Sequence, residues 1–129
     1  KRTHPIATVR QEIDRIQAGL RFRAVQNLQK ALDLPLEKIA SVLGMSRATL
    51  HRRKLQGKID KGESEKLVRY QRLLAKAEGV FGDAANAREW LTRKQTGLGN
   101  VVPLDFAKTE IGAREVENLL GRIEYGVYS

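Results

Sequence analysis

Ser46, Arg47, Ala48, Thr49, His51, Arg52, Arg53 and Lys54 crowd hydrogen-bond donors and cations into one short run. Side chains of these types read nucleic acid. A guanidinium donates two parallel bonds to guanine O6 and N7, worth roughly 1–3 kcal/mol of discrimination against a wrong base, which makes Arg47 and Arg52 the first candidates for base-edge contacts. His51 shares their face and can donate to a base or a phosphate. Ser46, Thr49, Arg53 and Lys54 suit phosphate oxygens, which position a protein on DNA without reading its sequence. A solvated helix face is the plainer alternative for the same residues.

Such a face works only if something holds it outward. Over Leu36–Arg53 the residue types fit a helix-turn-helix: the small Ala40 at a close helix crossing, Gly44 in the turn, and Leu50 packing back beneath the first helix. Ser46 is placed to cap the second helix by accepting from a backbone N–H. Arg47, Ala48, His51 and Arg52 are then left to look into a DNA groove. Arg53 stands where an apolar residue is common in this unit, which leaves Leu55 to close the core. An ordinary αα-hairpin has similar spacings.

Composition narrows the classes. With 129 residues the chain fits one domain or two very small ones sharing a core. No apolar run approaches the roughly 20 residues of a membrane span. There is no cysteine, and His4 and His51 are the only histidines, so thiolate and histidine-cluster metal sites are excluded. Without a signal-peptide pattern, the expected location is the cytoplasm and no membrane contact is expected. The formal charge is +9, and its distribution is uneven. Residues 1–60 hold 13 Lys/Arg against 5 Asp/Glu, whereas residues 61–129 hold 11 against 10. Positive charge therefore accompanies the helix-turn-helix, as phosphate contact requires.

Periodicity predicts helices almost throughout. Ile6, Val9, Ile13, Ile16 and Leu20 form an amphipathic stripe ending near Gly19, and Val25, Leu28 and Leu32 a second that leads to Pro35 at the next helix start. Asp60 and Glu63 have capping-box spacing at the head of a long helix with Leu67, Leu74, Ala77 and Phe81 inward. Ala84, Ala87, Trp90 and Leu91 outline another. A turn-rich loop at 96–100, a short helix at 103–108 and a final helix with Val116, Leu119, Leu120 and Ile123 on one face complete the chain. Gly126 ends that helix. The expected fold is all-α, without a convincing strand.

Read with the helix-turn-helix, the second half resembles the Xre/MbcA/ParS family of antitoxins. The resemblance runs from about Gly19 to the end and rests on an ordered set: Ser64-Glu65-Lys66-Leu67, Ala77 with Val80-Phe81-Gly82, and Ala87 with Trp90-Leu91. Leu98-Gly99, Pro103-Leu104-Asp105, Thr109 with Gly112, Val116 and Ile123-Glu124-Tyr125-Gly126 complete it. Asn100 stands where related sequences often have a second glycine. The resemblance implies an Xre-like helix-turn-helix domain over residues 1–62 and a small helical toxin-binding domain over 63–129. It is similar above all to antitoxins of the RES/Xre type. Their partner is an NAD-consuming RES-type toxin related in fold to ADP-ribosyltransferases. The resemblance also implies a protein without catalysis or cofactor of its own, which blocks that toxin, represses its own operon by binding operator DNA, and assembles as a homodimer and in higher-order toxin-antitoxin complexes.

Candidate toxin contacts are implied by the same resemblance. The family's C-terminal region lies against the toxin pocket, which directs attention to Glu124, Tyr125, Gly126, Val127, Tyr128 and Ser129. Tyrosines supply large contact area at low entropic cost, although termini are usually mobile. Trp90 divides between core packing and partner contact. Glu110, Glu115, Glu117 and Glu124 could face basic groups of a phosphate-binding site, and a solvated helix face is expected for at least half of them. Catalysis finds no constellation: there is no nucleotide cradle, no metal spacing and no nucleophile beside a base. The rival from another class is a stand-alone helix-turn-helix regulator with a dimerising or ligand-sensing second half. A recombinase fragment would leave the motifs after Ser64 unexplained.

Overall fold

The computed structural model describes residues 6–126, and within them the chain is a set of eight α-helices and one 3-10 turn. In order they are α1 (Ile6–Ala18), α2 (Phe22–Leu32), α3 (Leu36–Val42), α4 (Arg47–Gln56), α5 (Lys61–Phe81), α6 (Ala84–Thr92), α7 (Pro103–Phe106) and α8 (Glu110–Glu124). The all-α expectation holds. His4, Val127, Tyr128 and Ser129 lie outside the described residues.

Helix boundaries follow local chemistry. The side chains of Asp60, Asp83 and Thr109 accept from the backbone N–H groups of Glu63, Asn86 and Gly112, satisfying donors that a bare helix start leaves open. At α5 the full capping box forms, since Glu63 reaches back to the Asp60 N–H at 2.9 Å. Pro35 sits one residue outside α3, as its cap, and its carbonyl accepts from Lys38 and Ile39. Two glycines are required by close approach. A Cβ at Gly19, which has φ +93°, would collide with the Ile59 carbonyl, and one at Gly112 with the Phe106 carbonyl. Asn100 has a left-handed backbone, φ 65°, a conformation that Asn visits more readily than most residues.

Buried residues from Leu20 to Leu120 form one continuous core. The long helix α5 is its spine, contributing Leu67, Tyr70, Leu73 and Ala77 and packing against α1, α2, α6 and α8. Polar contacts tie the elements of this core together as well. The Ser64 hydroxyl accepts from the Leu20 N–H at 2.9 Å, and the Tyr70 hydroxyl donates to the Leu104 carbonyl at 2.8 Å. Lys38 on α3 bonds Asp105 on α7 at 2.8 Å. Burial holds the Tyr70 phenol protonated well above the ordinary tyrosine range. α5 is thus common to both halves.

The amphipathic helix expected over residues 6–20 is present as α1. The stripe Ile6, Val9, Ile13 and Ile16 is present, but α1 contributes no buried residue to this core. Leu20, just after it, is buried.

Candidate nucleic-acid and partner interfaces

α3 and α4 make the helix-turn-helix. Ala40 is almost fully buried at their contact, and Gly44, φ +78°, makes the turn while its N–H donates to the Ser41 carbonyl. The Ser46 Oγ accepts from the Thr49 N–H at 3.1 Å and fixes where α4 starts. Leu50 is the one buried side chain of α4, and it faces inward as the sequence pattern requires. Burying that single residue turns the rest of the helix outward.

On the outward face Arg47, Ala48, His51, Arg52 and Lys54 are all exposed, and Thr49 is half-buried. Among the described residues, none of the three cations Arg47, Arg52 and Lys54 forms an ion pair. The Arg52 guanidinium makes only a long bond of 3.5 Å to Thr49 Oγ1. Such charges, already solvated and uncommitted, exchange water for phosphate or base edges without breaking an internal contact.

Arg53 departs from this pattern. Its Nε donates to Glu63 at 2.8 Å and its Nη2 to Asp60 at 3.0 Å, so it clamps the end of α4 onto the capping box of α5. The bond to Glu63, ahead of the opposing effect of burial, raises its pKa above the usual arginine value. The expectation that Arg53 is a phosphate contact gives way to this internal engagement, because the fork that would grip phosphate is already occupied by carboxylates. Leu55 is a second correction. It does not close the core: it is 75% exposed, two helical turns beyond Ala48 on the same outward face, and Ile59 is the next residue to be buried. The signal for Arg53 was the Asp60/Glu63 pair, whose charge matches the unusual arginine.

The second half carries a different surface. Trp90 is half-buried and tilts against Phe81 with ring centroids 5.7 Å apart, so part of the indole belongs to the α5–α6 corner. α8 buries Gly112, Ala113, Val116, Leu119 and Leu120. Of its acids, Glu110 and Glu117 reach Arg69 and Arg72 on α5, at 3.3 and 2.7 Å, whereas Glu115 and Glu124 are exposed and enter no ion pair among the described residues. The expected division between solvated and engaged carboxylates is therefore half and half. Tyr125 and Gly126 are exposed at the end of α8, Tyr125 at 81%. Ile111, 78% exposed on the same outer side, was missed by pattern reading, because an apolar residue opposite an apolar face is invisible to a search for that face.

Comparison with known proteins bears on both surfaces. A family model described as an antitoxin Xre-like helix-turn-helix domain matches residues 11–72, and one described as the antitoxin Xre/MbcA/ParS C-terminal toxin-binding domain matches residues 76–126. The chain is 33% identical to Antitoxin Xre of Yersinia enterocolitica over 119 residues, covering 91% of this chain and 80% of that one. It is 34% identical to Antitoxin Xre of Photorhabdus laumondii over 116 residues, 88% of this chain and 78% of that one. A further match, 34% over 64 residues, is to Antitoxin Xre of Pseudomonas putida and spans 50% of this chain and 40% of that one.

Proposed function

The chain belongs to the Xre antitoxin family, with a DNA-binding helix-turn-helix and a toxin-binding domain, and on that premise we propose that it neutralises an NAD-consuming toxin of the RES type and represses its own operon. The observation that carries the reading is a pairing of surfaces on one core: an uncommitted cationic face on α4, and exposed side chains along α8 and at its end, Ile111, Glu115, Glu124 and Tyr125. Neither surface is needed to close the fold. The protein then acts by occupying sites, without catalysis or a cofactor.

In this reading Arg47 and Arg52 contact base edges, His51 and Ala48 share the groove face, and Ser46, Thr49 and Lys54 meet phosphates. Arg53 positions α4. Two copies occupy half-sites about one DNA turn apart, since one short recognition helix offers few base contacts. Residues 1–62 carry the DNA-binding work and 63–129 the toxin-binding work, with Trp90, Glu124, Tyr125, Gly126, Val127, Tyr128 and Ser129 as the toxin contacts. Glu124, the one acid of that set, complements cations in a site built for a phosphate-bearing substrate such as NAD.

Co-expression with the product of the adjacent gene tests this directly. The expected result is a co-purifying complex in which NAD consumption is suppressed and a promoter fragment is bound. An adjacent gene product that neither binds nor consumes NAD would remove the RES assignment. The rival regulator reading would then predict promoter binding without a protein partner.

A further inference from the structure

We propose that the apolar stripe of α1 is a self-association surface, covered by α1 of a second copy of this chain. The proposal deepens the reading of two copies on one operator and rests on it for the setting in which the contact forms. α1 has no buried residue, and Ile6, Val9 and Ile13 are 71, 42 and 47% exposed. Packing against α5 leaves them uncovered. α1, 13 residues long, is held on one side by α5, and its apolar seam is left open to solvent.

Charge and pattern choose the occupant. The first half of the chain is strongly positive, yet α1 carries Arg10 and Arg15 against Glu12 and Asp14, and Arg15 bonds Glu12 at 2.8 Å. A neutral, apolar helix has nothing to offer DNA phosphate, and two copies of it meet without net repulsion. Along the helix, Ile6, Val9, Ile13 and Ile16 are spaced by steps of three, four and three residues. That order is the same from either end, so a second α1 matches all four layers across a two-fold axis, as an interface made from the same patch on both copies requires.

Size sets the strength. A face about 20 Å long and about 10 Å wide is small beside the roughly 800 Å² per partner of a stable interface. Pairing through α1 is therefore weak in dilute solution. It becomes effective when DNA holds two copies side by side at high effective concentration.

The chain has no cysteine, so single thiols report the contact cleanly. The two-fold pairing sets Val9 of one copy opposite Ile13 of the other, so a mixture of Val9→Cys and Ile13→Cys proteins should form disulfide-linked heterodimers under mild oxidation, at high protein concentration or on operator DNA. Lys94→Cys, exposed on the other half, serves as the control. Dimer formation no faster than in that control overturns the proposal, and so does a thiol at position 13 shielded from alkylation only when toxin is added. In parallel, Ile13→Glu should remove cooperative filling of the two half-sites, weakening operator binding by on the order of a hundredfold while leaving single half-site binding largely intact. Unchanged cooperativity also overturns it. If the parent protein fails to bind operator at all, the operator reading has failed, and cross-linking of the concentrated free protein still decides the α1 contact.

Discussion

α4 and α8 are two helices with exposed outer faces, and they are held in opposite ways. α8 offers the core a whole face of five residues, from Gly112 to Leu120. α4 offers one leucine, and its remaining anchors are polar: the Ser46 cap at its start, a left-handed Gly57 at its end, and the Arg53 clamp onto Glu63 and Asp60. On the proposed reading α4 lays several side chains into a DNA groove, and a helix that does so cannot also bury them. Point anchors replace a buried face, and each becomes critical.

The largest expected effect comes from that difference. Leu50→Ala removes the sole buried side chain of α4 and should destabilise the protein by roughly 2–5 kcal/mol, with operator binding lost alongside. Leu119→Ala on α8 removes one of five buried residues, itself 8% exposed, and should fall at the low end of that range. Thermal melts check both. Equal losses at the two sites would erase the contrast between point anchoring and face anchoring.

Arg53→Ala comes next, at about 1–3 kcal/mol, the worth of charge-assisted bonds removed from a nearly buried Glu63. Urea melts measure the stability, and the salt dependence of DNA binding separates the two roles. A phosphate contact would lower the salt slope by about one when deleted. An internal clamp leaves the slope of the folded protein unchanged. By contrast, Arg47→Ala and Arg52→Ala should each weaken specific operator binding by roughly 1–3 kcal/mol while the melting curve stays put, because neither side chain has an ion-pair partner inside the fold. Gel shifts with the promoter region, run beside melts, read this out.

A smaller effect probes the joint between α5 and α7. Tyr70→Phe deletes the bond to the Leu104 carbonyl and should cost about 1 kcal/mol. Burial raises the folded-state pKa of this phenol, so its contribution is fully present below the ordinary tyrosine pKa of about 10. It is lost as pH rises from there, because only the unfolded chain then gives up the proton readily. The variant should lose less stability than the parent between neutral and strongly alkaline pH. Parallel alkaline profiles would detach the hydroxyl from the joint between α5 and α7.

Local chemistry made most of the fold legible. Ser46, Asp60 with Glu63, Gly44 and the apolar spacing of α2, α5 and α8 all announce themselves through types at short separations, and the helices lie where those residues put them. Contacts between distant positions were not legible. Arg53 reads as a free cation until Glu63 is seen beside it, and Lys38 with Asp105 is a pairing no periodicity contains. α1 shows the converse limit. Its stripe is a true amphipathic signal, but the pattern cannot say whether the apolar side faces this chain's own core or another molecule. On the candidate site, the outward direction of Arg47, Ala48, His51 and Arg52 was readable from Leu50 alone, whereas exposed Leu55 and Ile111 broke the rule that apolar residues close cores.

The smallest effect on the protein itself, and the sharpest separation of its two surfaces, is expected at the end of α8. Tyr125 and Gly126 are exposed, Ile111 lies on the same outer side, and the buried face of α8 ends before them. Deleting Gly126 to Ser129, or replacing Ile111 by Ser, should therefore change stability by less than about 0.5 kcal/mol, as surface substitutions away from caps and buried contacts usually do. Operator binding by the free antitoxin should be unaffected, since α4 and its anchors are untouched. Toxin neutralisation should fail or need a large excess of antitoxin, because exposed apolar and tyrosine side chains at a binding surface contribute affinity out of proportion to their number. With the NAD-consuming toxin proposed above, titrating NAD consumption against each variant measures the change. Full neutralisation at equal concentration by both variants would leave the end of α8 an ordinary helix terminus and move the blocking surface to the α5–α6 corner, where Trp90→Ala is the next variant to make.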